Sequence, residues 1–306
     1  MEISKSSKKK STAERIAQIV FTVCASFTIL AVLSIMVYMI ANGTPALFEV
    51  GIKELLFGTV WKPTAAELEY GIFYVILTSV VGTFMAILLG VPIGILTAVF
   101  LAEAAPQKLS AIVKPAIELL AGIPSVIYGL LGIMVLNPIM YKIELAVFKD
   151  SQTHQFTGGA NLISAVIVLA VMILPTVINM SETAIRAVHP SMKASSLALG
   201  ATHIQTIFHV ILPAAKSGIL SAVMLGVGRA IGEAMAITLV SGSSVNIPLP
   251  FNSVRFLTTA LVSEMGYASD LHREVLFTIG LVLFVFIMII NVIMERLIKN
   301  GGSNNA

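Results

Sequence analysis

Arg229 and Glu233 stand inside the apolar stretch GILSAVMLGVGRAIGEAMAITLVSG, residues 218–242, which is long enough to cross a bilayer. An ionised side chain near the middle of such a span costs about 2.5–3.5 kcal/mol on insertion scales, so it faces protein or a water-filled path rather than lipid. As one continuous helix, the stretch places the two charges on a shared face. A guanidinium is always ionised and presents a planar fork of donors that matches an oxyanion. Glu233 would neutralise Arg229 while the path is empty, and a passing anion would compete with it for the same donors. The alternative is a buried structural ion pair that fixes this helix to a neighbour. The default for intramembrane charges favours the path. Glu118 is a third ionisable residue at possible membrane depth. It follows Lys114 by one helical turn, so a near-surface pair with Lys114 and a pathway or gating role both stand.

The element that carries Arg229 must pack closely against another. Gly218, Ala222, Gly226, Ala230 and Ala234 recur at every fourth position, a stripe that admits a second helix, and Gly228 with Gly232 adds a shorter one. Arg229 lies about 60° round the helix from Gly226, so the charges border that contact. The whole chain has the composition such packing needs. Of 306 residues, 57% are hydrophobic and 11% charged, and the mean hydropathy is +0.95, a balance that excludes a water-soluble globular domain. Apolar runs of spanning length fall at about 17–41, 71–102, 112–137, 161–181, 217–241 and 275–294. They predict an all-α membrane protein with six transmembrane helices.

Orientation follows from the basic residues outside the spans. With the N-terminus inside, twelve Lys and Arg fall on the inner side and six on the outer, which predicts both termini in the cytoplasm. The net charge of +3 comes mostly from an arm over residues 1–16, KSSKKKSTAER within it, suited to fixing topology and touching anionic lipid rather than nucleic acid. The first apolar run is too long for a cleaved signal, and the single Cys24 allows no disulfide framework. The first helix and an outer loop with Trp61 and Tyr70 as interfacial aromatics fill residues 17–70. The second helix is long enough to tilt or bend near Gly90, Pro92 and Gly94. Pro115, Glu118, Gly122 and Pro124 interrupt the third, which leads to an outer loop over 138–160. A polar tail, 298–306, closes the chain.

The largest inner segment, 182–216, contains ETAIRAVHPSMKASSLALGATHIQTIFHVILPAAK. Pro190 suits a helix first turn, Gly200 divides the run into two short helices, and Pro213 closes the second. Ile204, Ile207, Phe208 and Ile211 follow i, i+3, i+4, i+7 and give that second helix an apolar face. Such a face lies on lipid, packs under its own bundle, or sets into a groove on a cytosolic partner. The sequence has no G-x-x-x-x-G-K-[ST], so any ATP hydrolysis must come from another polypeptide. His203 and His209 are off the spacing of two ligands on one helical face, and no catalytic triad stands out.

This inner segment resembles the signature loop of ABC-importer permeases, in which Glu-Ala-Ala is followed by three residues, Gly, nine residues and Ile-x-Leu-Pro. Gly200 and Val210-Ile211-Leu212-Pro213 stand at the matching places. Ala194, Ser195 and Ser196 occupy the Glu-Ala-Ala positions, so the family's acidic residue is missing. Within those permeases, PAIELLAGIPSVIYGLLG (115–132), SSLALGATHIQTIFHVILPAAKSGI and GVGRAIGEAMAITLVSG (226–242) resemble the PstC type of the phosphate-import system. The PstA-type sister shares the arginine-glutamate element but continues with Thr-Ala-Pro where this chain has Ala-Met-Ala. The resemblance spans most of the chain from the second helix onward. It implies a type I ABC-importer permease fold, with residues 71–297 as the permease core and 182–216 as the loop that couples to the ATPase. It also implies a multi-pass subunit of a prokaryotic cytoplasmic membrane that is not itself an enzyme. Beside it would stand a PstA-like second permease, a dimer of PstB-like cytoplasmic ATPase carrying ATP and Mg, and a PstS-like extracytoplasmic phosphate-binding protein. The rivals are a permease for sulfate or molybdate and, from another class, an ion-coupled secondary transporter with Arg229, Glu233 and Glu118 as a relay.

Overall fold

In lipid, apolar contact alone gives helices little reason to associate, so they meet where small residues let backbones approach. The centre of the fold in the computed structural model, which describes residues 12–302, is built this way. Helix α7 (Leu162–Arg186) lies between α3 (Phe73–Val99) and α10 (Leu212–Ile231). A Cβ on Gly90 or Gly94 of α3 would come within 2.7–2.8 Å of Ile173 or Val177 of α7. On the other side, a Cβ on Gly226 of α10 would reach Val177 Cγ2 at 2.8 Å, and one on Gly218 would reach Ala184 Cβ at 2.5 Å. The predicted small-residue stripe is therefore the α10 seam against α7, while a Cβ on Gly228 would meet nothing within 4 Å.

Six helical stretches are long and apolar enough to span a bilayer, as expected. The first, α1 (Thr12–Glu49), leans on the last, α13 (Asp270–Gly302), at Gly43, whose carbonyl accepts from Thr278 Oγ1 at 2.6 Å. Between α1 and α3 come α2 (Ile52–Phe57) and a two-stranded antiparallel ladder, β1 (Trp61–Lys62) with β2 (Glu69–Tyr70). By the alternation of spans, both termini fall on one side of the bundle, with these elements on the far side. Most of the basic arm over 1–16 lies outside the described residues. The predicted polar tail is helical as far as Gly302, and its last four residues lie outside the described residues.

Three expectations need correcting. The third span is not 112–137. Ile123, which precedes Pro124, is extended at φ −70°, ψ 127°, as residues before proline tend to be, and the chain divides there. A separate α4 (Gln107–Gly122) precedes the break. The span follows it, Ser125–Val147, built from α5 (Ser125–Leu131), a π-helical turn (Gly132–Leu136) and α6 (Asn137–Val147). The loop expected over 138–160 thus begins only after Val147.

Second, Pro213 does not end the coupling helix. From α9 (His203–Thr206) the chain passes through a π-helical turn (Ile207–Ile211) directly into α10. The Leu212 N–H bonds to Ile207 O, a wider closure than the α-helical one, and Pro213, which has no N–H to continue the ladder, follows directly after this widened turn.

Third, Trp61 and Tyr70 are not simple interfacial anchors. Tyr70 is buried, and Trp61 Nε1 donates to the Glu264 carboxylate at 3.2 Å. Glu264 ends α12 (Leu257–Glu264) and also accepts from Arg255 Nη1 and from His272 Nε2 at 2.8 Å, which ties the far-side loops together. Beside this cluster, partial desolvation and then the Glu264 carboxylate raise the half-open Tyr267 phenol above its ordinary pKa, against an opposing pull from Arg255. A second far-side knot holds buried Glu144, which accepts from His154 Nε2 and the Thr157 N–H, both at 2.9 Å.

Candidate functional site

The stretch that carries Arg229 and Glu233 is two helices, not one. Helix α10 ends at Ile231, Gly232 caps it, and α11 (Met235–Val240) starts beyond Glu233 and Ala234. The two charges therefore occupy the facing ends of a broken helix rather than one shared face. Arg229 lies in the last turn of α10, where the carbonyl end of the helix dipole favours a cation. Glu233 lies at the start of α11, where the N–H end favours an anion, and its Oε1 accepts from the Ala236 N–H at 2.9 Å. Its backbone carbonyl accepts from Thr258 Oγ1 at 2.7 Å, which fastens the break to α12.

Glu233 is thus occupied as a cap, and among the described residues no carboxylate pairs with Arg229. The half-buried guanidinium donates instead to Thr176 Oγ1 of α7, at a long 3.3 Å. Buried Tyr128 of α5 lies within its electrostatic range. On the far side of this level, Tyr128, Leu169, Met172, Ala236, Ile237 and Val240 form a buried, largely apolar cluster. A guanidinium with one weak neutral partner, beside a helix break and below an apolar plug, keeps most of its donors for something else.

This arrangement separates a cap from a counterion experimentally. Glu233→Gln retains an acceptor for the Ala236 N–H and gives up only a dipole term of about 0.3–1 kcal/mol, so uptake should stay within roughly fivefold of wild type. Glu233→Ala loses the cap, at a cost of about 1–2 kcal/mol, and should lower both thermal stability in detergent and uptake. Equal, complete loss of uptake in both variants, with unchanged melting, would restore Glu233 as a charge partner.

Glu118 makes no ion pair with Lys114. It is exposed on α4, and Lys114 reaches Glu182 Oε1 of α7 at 3.4 Å instead. Glu182 is buried and also accepts from Arg186 Nε at 2.7 Å, while Arg186 Nη2 donates to Leu101 O at 2.8 Å. Sequence reasoning missed Glu182 because it treated 182 as the first residue beyond a span. Thr176 carries no charge and so gives no signal of that kind. A hydroxyl directly after Pro175 in an apolar run was the available signal.

On the side of the termini, α8 (Pro190–Ala198) carries Ala194 and Ser195 on its exposed surface. Ser196 is half-buried, and its Oγ bonds Thr206 Oγ1 at 2.9 Å, which holds α8 to α9. Gly200 adopts φ +89°, a conformation that ends α8 and that side chains with a Cβ rarely take. Thr202 and Gln205 then form a capping box that starts α9.

The predicted apolar face does not act as one surface. Ile211 is buried and Ile207 packs against the same inner cluster, so both belong to the bundle. Ile204 and Phe208 point outward at 70% and 52% exposure, joined by Leu199 at 89%. Lys193 of α8 pairs with Glu103, in the π-helical turn (Phe100–Ala104) that ends the second span, and so anchors the segment to the bundle.

Comparison with known proteins places this geometry. Residues 90–300 match the family described as binding-protein-dependent transport system inner membrane component. The chain is 36% identical to the probable ABC transporter permease protein YqgH of Bacillus subtilis, over 91% of this chain and 90% of that protein. It is 30% identical to the phosphate transport system permease protein PstC of Xylella fastidiosa, over 95% and 93% of the two chains. Its fold is that of a chain in the crystal structure of a bacterial alginate ABC transporter in complex with an alginate pentasaccharide-bound periplasmic protein. That chain gives a TM-score of 0.64 at 15% identity, over 93% of this chain and 96% of its own.

Proposed function

Since this chain belongs to the binding-protein-dependent inner membrane components, the multi-pass permease subunits of ABC importers, we propose that its cargo is inorganic phosphate and that Arg229 meets it on the way through. The observation that carries this reading is the guanidinium at the helix break, half-buried and without a carboxylate partner among the described residues. Broken helices whose ends face a polar cavity are a recurring way to bind charged cargo within a membrane. A planar donor fork suits a tetrahedral oxyanion, and a single such group binds weakly enough to release it. The name carried by the Xylella relative supports phosphate over other oxyanions.

In this reading both termini are cytoplasmic, in keeping with the excess of basic residues on their side. A PstA-like permease completes the pathway, and a PstS-like binding protein delivers phosphate to the outer face. A dimer of PstB-like ATPase supplies hydrolysis with its own ATP and Mg. The chain itself carries no catalytic role. Exposed Leu199, Ile204 and Phe208 dock on the ATPase, so nucleotide-driven closure turns the bundle through α9 into α10, the helix that ends at Arg229.

The test is uptake of labelled phosphate by the reconstituted complex, competed by arsenate, sulfate and molybdate. Uptake that requires ATP and is competed by arsenate alone is the expected result. Competition by sulfate or molybdate at equal concentration would move the chain to another oxyanion, and uptake without ATP would move it to secondary transport.

A further inference from the structure

Resting on the reading of Arg229 as the anion contact, we propose that the route from it to the cytoplasmic side is the open face shared by α7 and α10, with Asn179 as its principal rung. From Arg229 toward the termini, α7 carries Thr176, Asn179 and Thr183 at i, i+3 and i+7, within about 60° of one another. All three are half-buried or exposed, whereas Leu169 and Met172, on the same face beyond Thr176, are buried in the apolar cluster. The face is shut on one side of Arg229 and open on the other.

Across the seam, α10 exposes Ser217, Ser221 and Gly228 along one edge, about 80–120° round the helix from Arg229, with exposed Leu225 between them. The face ends on the side of the termini in a groove lined by Ala184, Ala187, Ser217 and Gly218.

Two features set this face apart from a lipid-facing one. Large apolar side chains are exposed along α1, α3 and α13, but α7 and α10 expose only Val171, Met180 and Leu225. Asn179 makes no side-chain hydrogen bond: its Oδ1 is enclosed without a partner, and the Nδ2 donors are the end of the amide left for the open face. An amide facing hydrocarbon would be costly, whereas one facing a hydrated path is at home. The Thr183 and Ser221 hydroxyls are back-bonded to Asn179 O at 2.8 Å and Ser217 O at 2.9 Å, so each can turn to an anion at the loss of one hydrogen bond. A ladder of neutral donors, none strong enough to trap the cargo, is what conduction away from a single charged contact needs.

The experiment uses the assembled importer in liposomes. Asn179→Leu, close in volume, should lower the maximal uptake rate about tenfold while copurification with the ATPase stays at wild-type level, and Asn179→Gln should recover most of it. In a Cys24→Ser background, Thr183→Cys and Ser221→Cys should react with an anionic, membrane-impermeant thiol reagent applied from the cytoplasmic side. Val171→Cys, across the buried cluster, should not.

Wild-type uptake in Asn179→Leu, or no reaction at positions 183 and 221 in an active complex, would overturn the route. Either result leaves Arg229 untouched as the anion contact, which its own substitution tests separately. Reaction at 183 and 221 with loss of uptake in both Asn179→Leu and Asn179→Gln would remove Asn179 as a donor and overturn its assignment as the principal rung.

Discussion

Arg229→Lys should lower phosphate uptake on the order of ten- to a hundredfold while the subunit still inserts, assembles and supports ATP hydrolysis by its partner. The substitution keeps the positive charge, so the dipole of α10 and the local field change little. What it removes is the fork: an ammonium is a compact point charge on a flexible stem and cannot hold two oxygens of one anion in fixed geometry. A hydrogen bond to a charged group is worth about 1.5–3 kcal/mol, and one such bond lost from the step past Arg229 corresponds to the factor given. A purely structural arginine predicts something different. Arg229 is held within the chain by one 3.3 Å contact to a threonine, so lysine would cost little in folding and nothing in rate. Initial rates in proteoliposomes, normalised to assembled complex, separate the two.

The second large effect concerns the cytoplasmic segment. Ile204→Asp with Phe208→Asp should abolish copurification with the ATPase and hence uptake, and Leu199→Asp should weaken both. These side chains are exposed and apolar, Leu199 just after α8, Ile204 on α9 and Phe208 on the π-helical turn that follows, in a segment held by the α9 capping box and by the Ser196–Thr206 bond. Anchors of this kind typically cost 2 kcal/mol or more each when lost from an interface, and an unpaired carboxylate in the groove adds to that. The folded subunit should be unharmed, because in the isolated chain the new carboxylates face water. Ile207→Asp is the informative contrast. Its side chain packs against the inner cluster with Ile211 and Ile185, so it should lower expression and melting temperature rather than docking. Retained copurification of the Ile204→Asp, Phe208→Asp double variant would show that the ATPase grips elsewhere.

The division between what could be read in advance and what could not follows the range of the forces involved. Six spans and the small-residue seam of α10 were legible because lipid imposes length and close approach on local sequence. The α8–Gly200–α9 turn was legible for a similar reason, since a positive φ and a proline at a first turn are local signals. The break at Gly232 was not. Nothing in GRAIGEAMA forbids a continuous helix, and the interruption is held by one tertiary partner, Thr258 on the Glu233 carbonyl, together with the local bond from the Ala236 N–H to the Glu233 carboxylate. The same holds for Ile207 and Phe208, neighbours that part company only once the π-helical turn has rotated the helix entering α10. Pro124 is the instructive failure in the other direction. Its signal is local and visible, but the surrounding apolar run outweighs it and predicts a span across the break. Long-range polar pairings such as Lys114 with Glu182 and Trp61 with Glu264 lie far apart in sequence and left no periodic trace.

Transport past Arg229 requires that water and an anion reach the guanidinium. The most direct measurement is a structure of the complete importer, with its ATPases and bound to phosphate or a heavier tetrahedral oxyanion, in both inward-facing and outward-facing forms. An oxyanion within about 3 Å of the Arg229 donors in at least one form, with a continuous aqueous route past Thr176 and Asn179, is the predicted result. Arg229 enclosed by close-packed side chains in both forms, with the anion passing elsewhere, would contradict it.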